Sequence, residues 1–238
     1  MSTVPARSVF GSVDALTAEL VHQTVQAAAA AIAARGRFTM ALTGGSAATT
    51  LYPVLAQASL PWDRVHILFG DERCVPGDHD DSNHALARRT LLARAAIPAA
   101  HVHRVRGEDD PAAAAIAYER TLLDVTDGTG ALDVVHVGMG PDGHVCSLFP
   151  GHPLLREEVA LVAALTDSPK PPAARVTLTL QALARARQLW FLVTGGTKAG
   201  AAHDAILDPA STLPAALAAR RGARVRWLLD GDAARFLR

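Results

Sequence analysis

Four short apolar runs, each followed by a loop rich in glycine or charge, constrain the fold of this chain more than any other feature. The runs cover residues 38–42, 65–69, 132–137 and 189–193. Short apolar runs bounded by turn residues are typical of strands buried on both faces of a parallel sheet. Alanine-rich segments of helical character separate them. The alternation predicts an α/β fold of three layers, a mostly parallel sheet covered by helices on both faces.

The segments between these runs predict the remaining elements. Ser12 and Gly36 are suited to begin and end a helix over residues 13–35, and Ser82 is suited to cap a helix over 83–94. We predict a single domain over residues 1–238, because no low-complexity linker divides the chain. Further helices are predicted at 47–58, 111–124, 199–208, 213–220 and 232–237, and further strands at 101–103, 159–165, 175–180 and 224–229.

The composition argues against several classes of protein. Half of the 238 residues are hydrophobic, enough for a large core, and 23 basic residues balance 23 acidic ones. Zero net charge argues against nucleic acid as the main partner, although a few cations in a cleft suffice for an anionic substrate. Cys74 and Cys146 form no C-x-x-C pair, which indicates a reducing compartment. Because the sequence shows no signal pattern and no membrane-spanning run, we predict a cytoplasmic protein without membrane contact.

The loop after the third run carries the strongest catalytic signal. Three glycines and a proline end the strand within residues 138–143, and Asp142 and His144 are the first polar side chains beyond it. Ligands of open α/β sheets bind at this end of the strands, and a nearby carboxylate can orient an imidazole and set its tautomer. We therefore predict that His144 is a catalytic base. The loop also matches the dinucleotide-binding spacing G-x-G-x-x-G, but prolines within and after it leave no room for the required helix.

Two glycine turns have the pattern of anion sites. Thr-Gly-Gly-Ser at 43–46 lies between a predicted strand and a predicted helix, and Thr-Gly-Gly-Thr-Lys at 194–198 repeats the arrangement with Lys198 added. Backbone N–H groups and the dipole at a helix start favour negative charge. An ordinary turn with Ser46 as the N-cap explains the first segment equally well. The second is not a Walker A loop, because the required spacing is absent.

Three charged residues, Asp71, Glu72 and Arg73, follow the second run after a single glycine. Such clusters more often solvate a loop than take part in catalysis, unless other strands bring matching groups to the same edge. Parallel strands deliver their carboxyl ends to one edge of the sheet, so we expect the four loops to converge. The simplest chemistry for that edge is acid–base work on a phosphorylated metabolite. We expect no metal, since the H-x-H pair at 101–103 lacks a third ligand nearby.

Several motifs resemble the signatures of the 6-phosphogluconolactonase family. They are Asp-Glu-Arg-Cys-Val-Pro at 71–76 with Ser-Asn at 82–83, the loop 138–144 with Ser-Leu-Phe-Pro-Gly at 147–151, Arg-Val-Thr-Leu-Thr at 175–179, and Thr-Gly-Gly-Thr-Lys-Ala at 194–199. The motifs occur in the family's order along nearly the whole chain. The resemblance implies a cofactor-free, modified Rossmann-like α/β fold, shared with glucosamine-6-phosphate deaminase and ribose-5-phosphate isomerase. It implies hydrolysis of 6-phospho-D-glucono-1,5-lactone to 6-phospho-D-gluconate, the second step of the pentose phosphate pathway.

The resemblance also implies a role for each residue of the site. His144 takes a proton from the attacking water, and Asp142 orients its ring. Arg73 and nearby backbone N–H groups stabilise the oxyanion, while Asp71 and Asn83 shape the sugar pocket. The phosphate is held by the two glycine turns and two cations, namely Thr43, Gly44, Gly45, Ser46, Arg175 and Lys198.

One position departs from the family pattern. The first glycine turn of the family usually reads Ser-Gly-Gly-Ser-Thr, and this chain has Ala47 at the last place. We expect phosphate binding to lose one hydrogen bond, about 1 kcal/mol. The backbone amides of the turn are unaffected by the substitution.

Two other functions are compatible with such a fold. The isomerase and deaminase relatives carry Asn-Glu-Pro after their Asp-Gly-His, whereas this chain reads Leu-Phe-Pro at 148–150. The additional carboxylate of the deaminases is therefore missing. A non-catalytic sugar-phosphate sensor is the other alternative, and the presence of both Asp142 and His144 argues against it. We expect a monomer or a weak homo-oligomer.

Overall fold

Two sheets, one parallel and one antiparallel, form the framework of the molecule. The computed structural model describes residues 6–237 of the chain. Within that range the strands are β1 (Ala6–Phe10), β2 (Phe38–Leu42), β3 (Val65–Phe69), β4 (Asp71–Arg73), β5 (Val134–Gly138), β6 (Val162–Leu165), β7 (Arg175–Leu178), β8 (Leu189–Val193) and β9 (Val225–Asp230). Six of them form a parallel sheet in the order β1-β9-β8-β5-β2-β3. The other three form an antiparallel sheet in the order β4-β7-β6.

Helices cover the parallel sheet on both faces. They are α1 (Val13–Arg35), α2 (Gly45–Leu55), α3 (Asn83–Ala87), α4 (Pro111–Val125), α5 (Leu180–Arg185), α6 (Ala199–Leu207) and α7 (Pro214–Arg221). Side chains alternate across each strand. Along β8, Phe191 therefore packs into a core with α4, α5, α6 and α7, while Trp190 packs into a second core with α1 and α2. The predicted three-layer α/β fold is confirmed.

The predicted helix caps are also confirmed. The Ser12 hydroxyl accepts a hydrogen bond from the first turn of α1, and Gly36 ends that helix with φ +75°. The Ser82 hydroxyl caps α3 in the same way. A single π-helical turn, Arg88–Leu92, continues α3 over most of the predicted range. These caps were predictable because each satisfies backbone groups within a few residues of itself.

The structure corrects the predictions for residues 159–180. The segments predicted as strands of the parallel sheet contain β6 and β7 of the antiparallel sheet instead. All four residues of β7 are buried, so both faces of this strand are covered. β7 ends at Leu178, since the hydroxyl of Thr179 caps α5. The sheet also includes the charged segment Asp71–Arg73, which pairs with β7 as β4.

Three other segments differ from the predictions. Residues 101–103 contain the end of a 3-10 turn and one isolated bridge to β3, not a strand. Residues 232–237 form turns instead of a helix. β1 lies at the sheet edge and its side chains are mostly exposed, so its sequence has no apolar run. Its backbone pairing with β9 identifies it as a strand.

Candidate active site

A pocket of about 210 Å³ opens at the carboxyl edge of the parallel sheet, where the loops after β2, β3, β5 and β8 meet. This is the edge at which the sequence predicts that four loops converge. Ten of the eleven residues predicted for the site line the pocket: Thr43, Gly44, Gly45, Ser46, Asp71, Arg73, Asn83, His144, Arg175 and Lys198. The eleventh, Asp142, contacts His144.

The first glycine turn joins β2 to α2. The helix begins at Gly45, and Gly44 occupies the N-cap position without a side-chain hydrogen bond. The alternative with Ser46 as the N-cap is therefore wrong. Gly45 has φ +69°, a conformation that glycine adopts at little cost. The first turn of α2 has no side-chain cap, and its residues Gly45, Ser46 and Ala47 line the pocket, so its N–H groups are available to an anion there.

Thr43 connects the first glycine turn to the loop that carries His144. Its backbone N–H donates to the Tyr52 hydroxyl at 2.7 Å. Its own hydroxyl accepts a hydrogen bond from the N–H of Gly138 at 3.0 Å. Gly138 is the last residue of β5, so the two loops are held together through one threonine side chain.

A histidine and an aspartate form a hydrogen-bonded pair in the loop after β5. Gly143, at φ +77°, allows the sharp turn, and the N–H of Gly140 donates to the His144 carbonyl at 2.9 Å. The two residues approach so closely that a side chain at Gly140 would overlap the His144 ring. His144 Nδ1 lies 2.5 Å from Asp142 Oδ1.

The pKa values of this pair favour a neutral imidazole beside an ionised carboxylate. Burial raises the pKa of Asp142, but the hydrogen bonds and charges of His144 and Lys170 outweigh it and lower the pKa to about 2. Burial lowers the pKa of His144 below its ordinary value, and the hydrogen bond to Asp142 only partly opposes this effect. The shared proton therefore lies on Nδ1, and Nε2 carries the lone pair that a general base uses.

The polar residues after β3 are held by hydrogen bonds to one another. The Asn83 amide donates to the Asp71 carbonyl at 2.9 Å and to its carboxylate at 3.2 Å. The Asp71 carboxylate also accepts from the Ser147 hydroxyl at 2.7 Å. Arg73 Nη1 donates to Asn83 Oδ1 at 3.1 Å and to the Asp81 carbonyl at 2.7 Å. The network holds one carboxylate, one amide and one guanidinium at the wall of the pocket.

Glu72 holds the backbone of this network in place by accepting hydrogen bonds from it, a role that the sequence did not reveal. Its buried carboxylate accepts hydrogen bonds from the N–H groups of Arg73, Asn83 and His84, at 2.7–2.8 Å, and from the Ser82 hydroxyl at 3.0 Å. Burial raises the pKa of Glu72 despite these bonds. The only signal in the sequence was its place between two predicted site residues, which also fits a solvated loop.

Replacing this anchor by an amide is expected to destabilise the protein. In Glu72→Gln, one acceptor oxygen becomes an N–H₂ group that faces donors already directed at it. Leaving buried donors unsatisfied costs about 1–3 kcal/mol, and we expect a loss of this size in the free energy of unfolding measured with urea. Glu108→Gln is the matched control, because Glu108 pairs with Arg104 at the surface and exposed pairs contribute little. Equal losses in the two variants would contradict the anchoring role.

The second glycine turn brings a lysine to the pocket. Gly195, at φ +92°, donates its N–H to the Asp230 carboxylate at 3.0–3.1 Å. Lys198 ends the 3-10 turn that follows and immediately precedes α6. Burial lowers the pKa of Lys198, and Asp230 partly opposes this effect. A half-buried cation and a second helix start thus lie at the same pocket as the first glycine turn.

Arg175 lines the pocket, but most of its hydrogen bonds hold a loop. Its Nε donates to the Pro172 carbonyl, and its Nη2 donates to the Lys170 and Pro171 carbonyls, each at 3.1 Å. Its Nη1 lies 3.9 Å from Asp71. The loop presents Lys170 to the histidine–aspartate pair, a contact that the sequence did not predict. The run Pro-Lys-Pro-Pro at 169–172 indicates only an extended segment.

Three stacked histidines lie away from the pocket. The His66 ring stacks on those of His101 and His103, with His66 Nδ1 3.0 Å from His103 Nε2. Within residues 6–237, neither this group nor any other set of three or more histidine, cysteine or carboxylate side chains is arranged to hold a metal ion. Over the same range, no helix combines the length and the apolar character that crossing a bilayer requires.

Comparison with known sequences identifies relatives over almost the whole chain. A family model described as glucosamine-6-phosphate isomerases/6-phosphogluconolactonase matches residues 11–227. The chain is 44% identical to a 6-phosphogluconolactonase of Mycobacterium tuberculosis, covering 95% of this chain and 96% of the relative. It is 41% identical to the 6-phosphogluconolactonase of Homo sapiens, covering 97% and 93%.

Solved structures with the same fold include a lactonase and a deaminase by name. A 6-phosphogluconolactonase from Trypanosoma cruzi aligns with a TM-score of 0.89 at 30% identity, covering 100% of this chain and 98% of that one. A monomeric glucosamine-6-phosphate deaminase aligns with a TM-score of 0.82 at 19% identity, covering 97% and 99%. At that identity, the second likeness shows a common fold only.

Proposed function

Because the chain belongs to the family of glucosamine-6-phosphate isomerases and 6-phosphogluconolactonases, we propose that it hydrolyses 6-phospho-D-glucono-1,5-lactone to 6-phospho-D-gluconate. The relatives at 41–44% identity are lactonases by name, and this chain is a lactone hydrolase. The observation that supports the substrate most strongly is that His144, Lys198 and the first glycine turn line one pocket. A base and an anion site in one small cavity suit a phosphorylated lactone. Its hydrolysis is the second step of the pentose phosphate pathway.

The mechanism begins with neutral His144 acting as a general base. Its Nε2 takes a proton from water as the water oxygen attacks the lactone carbonyl carbon. The tetrahedral intermediate then collapses, the bond from that carbon to the ring oxygen breaks, and the imidazolium returns its proton to the leaving oxygen. Asp142 keeps Nδ1 protonated throughout, since it accepts that hydrogen bond. General base catalysis of this kind contributes about 10²–10⁴ in rate.

Arg73 is assigned to the negative charge that develops on the carbonyl oxygen. Its guanidinium is already oriented by Asp81 and Asn83, so little reorganisation is needed when the charge appears. Asp71 and Asn83, held together by hydrogen bonds, are assigned to the sugar hydroxyls. Backbone N–H groups of the loops that line the pocket complete the oxyanion site.

The phosphate is assigned to the region where two helix starts meet. α2 and α6 both begin at the pocket, and the dipoles of their first turns favour an anion. Lys198 supplies a full positive charge, and the buried Arg175 adds a second. The remaining contacts come from the first glycine turn, namely Thr43, Gly44, Gly45 and Ser46.

The wild-type enzyme is expected to keep its activity at mildly acidic pH. The base works only when neutral, and burial lowers the pKa of His144 below the ordinary 6.5. The acid limb of kcat/KM should therefore have its midpoint below pH 6.5, with the rate falling about tenfold per pH unit beneath it. A pH-stat assay corrected for spontaneous ring opening measures the profile. A midpoint above the ordinary histidine value would contradict the proposed neutral base.

A direct assay separates this function from the nearest alternative. Purified protein should accelerate acid release from freshly prepared 6-phosphogluconolactone and should release no ammonia from glucosamine 6-phosphate. Where deaminase relatives carry a glutamate, the chain has the buried pair Leu148 and Phe149, so no carboxylate is available there. Ammonia release without lactone hydrolysis would reverse the assignment.

A further inference from the structure

Lys170 contacts both members of the histidine–aspartate pair from a separate loop. Its Nζ lies 3.1 Å from Asp142 Oδ2 and 3.2 Å from His144 Nδ1. We propose that Lys170 is a positioning residue that fixes Asp142 and keeps His144 in the neutral form with Nε2 available as the base. The inference rests on the proposed lactonase function. It adds a residue outside the pocket lining, because Lys170 acts through Asp142 and His144 rather than on substrate.

The three contacts define where the protons lie. Asp142 is ionised, so the proton between Oδ1 and His144 belongs to Nδ1. Nδ1 therefore has no lone pair for Lys170, and the ammonium group donates to Oδ2 instead. With one oxygen bound by imidazole and the other by ammonium, the carboxylate cannot rotate without losing a charge-assisted hydrogen bond. The ammonium charge beside Nδ1 also disfavours a second proton on the imidazole.

Hydrogen bonds from two other residues hold the backbone of Lys170 in place. Its carbonyl accepts from Arg175 Nη2 at 3.1 Å and from the Ser168 hydroxyl at 2.8 Å. Its N–H contacts the same hydroxyl at 3.2 Å. Arg175 is itself buried at the pocket. The backbone that carries the ammonium group is thus held by Ser168 and Arg175, which lie outside the loop of His144.

The choice of lysine at this position is informative. Lys170 and Lys198 are the two lysines in the sequence, and every other basic side chain is an arginine. An ammonium group places its positive charge at one compact point on a flexible stem. Both lysines of an otherwise arginine-based chain lie at or beside one pocket.

Several other charged groups lie near His144, and each raises or lowers the pKa of its ring. Asp142, on its own loop, and Asp71, on β4, both favour the protonated ring, while Lys170 opposes them. Arg73 and Lys198 lie in the same pocket, and Phe149 contacts the ring as an uncharged neighbour. Lys170 lies 3.2 Å from the imidazole, and its positive charge opposes the effect of the Asp142 carboxylate on the pKa of His144. Its removal should shift the balance toward the imidazolium.

The test is the pH profile of Lys170→Met compared with Lys170→Arg and Lys198→Met. In Lys170→Met, the acid limb of kcat/KM should move to higher pH by about 0.5 to 1 pH unit, since Lys170 is partly solvent-screened. The rate at pH values well above the limb should fall less than the rate on the limb. Lys170→Arg retains the charge, and its limb should remain near that of the wild type. Lys198→Met removes a charge that does not contact His144, and it should raise KM without moving the limb.

A titration of the His144 ring by NMR separates this inference from the proposed function. It requires no turnover, and His144→Gln identifies the resonance. The ring pKa should rise in Lys170→Met by the same amount as the kinetic limb. An unchanged ring pKa in folded Lys170→Met overturns the role of Lys170, even if the wild type hydrolyses lactone. A raised ring pKa in a protein without lactonase activity supports the contact but refutes the function. Circular dichroism confirms folding, and the side chain is 40% exposed, so Met is tolerable there.

Discussion

His144→Ala is expected to lower kcat for lactone hydrolysis by about 10²–10⁴-fold, the usual contribution of a general base. Affinity for 6-phosphogluconate should change little, because the imidazole acts on the attacking water and contributes chiefly in the transition state. The measurements are kcat by pH-stat, corrected for spontaneous ring opening, and the dissociation constant of the product by calorimetry. The His144 ring is in contact with Phe149, so a folded variant must first be verified by circular dichroism.

His22→Ala is the matched control for this experiment. His22 lies exposed on α1, and its removal should leave kcat unchanged. A wild-type rate in His144→Ala would show that His144 is not the general base. A loss of product affinity with kcat unchanged would instead assign His144 to uniform substrate binding.

Lys198→Met is expected to raise KM by about 10–100-fold, the equivalent of losing a hydrogen bond to a charged group worth about 1.5–3 kcal/mol. The phosphate takes no part in the bond changes and gains no charge in the reaction, so we expect it to bind almost equally in the ground state and the transition state. kcat should consequently fall much less than KM rises. The inhibition constant of 6-phosphogluconate, measured by competition, should rise by a similar factor, because the product carries the same phosphate.

Arg64→Met is the matched control for the loss of one positive charge. Arg64 immediately precedes β3, and its side chain is well exposed, so it lies at the edge of the sheet opposite the pocket. Its variant should keep the wild-type KM. If Lys198→Met lowered kcat without raising KM, the phosphate end of the substrate would have to lie elsewhere in the pocket.

Local patterns explain why so much of the pocket was predictable. Every predicted site residue except Arg175, which begins β7, follows one of the four apolar runs or lies at the start of a helix. The convergence of the loops then follows from parallel strand order alone. Asp142 and His144 are two residues apart, so their contact is a property of one turn.

The residues that were missed are joined by contacts between distant segments. Glu72 is enclosed by backbone groups from its own strand and from α3, which an isolated charged cluster does not indicate. Lys170 reaches His144 across 26 positions of sequence. Asp71 and Ser147 are 76 positions apart. None of these pairings leaves a periodic pattern in either segment.

Five of the six strands of the parallel sheet, most of the helices, the glycine turns and the histidine–aspartate turn follow from the sequence alone, because each depends on interactions within a few residues or on the alternation of strands and helices. The separate antiparallel sheet of β4, β6 and β7, and the contacts of Lys170 and Glu72 with the site, become visible only in the folded chain. The pairing of distant segments depends on which backbone and side-chain groups remain unsatisfied once the chain is compact, and no local pattern records it.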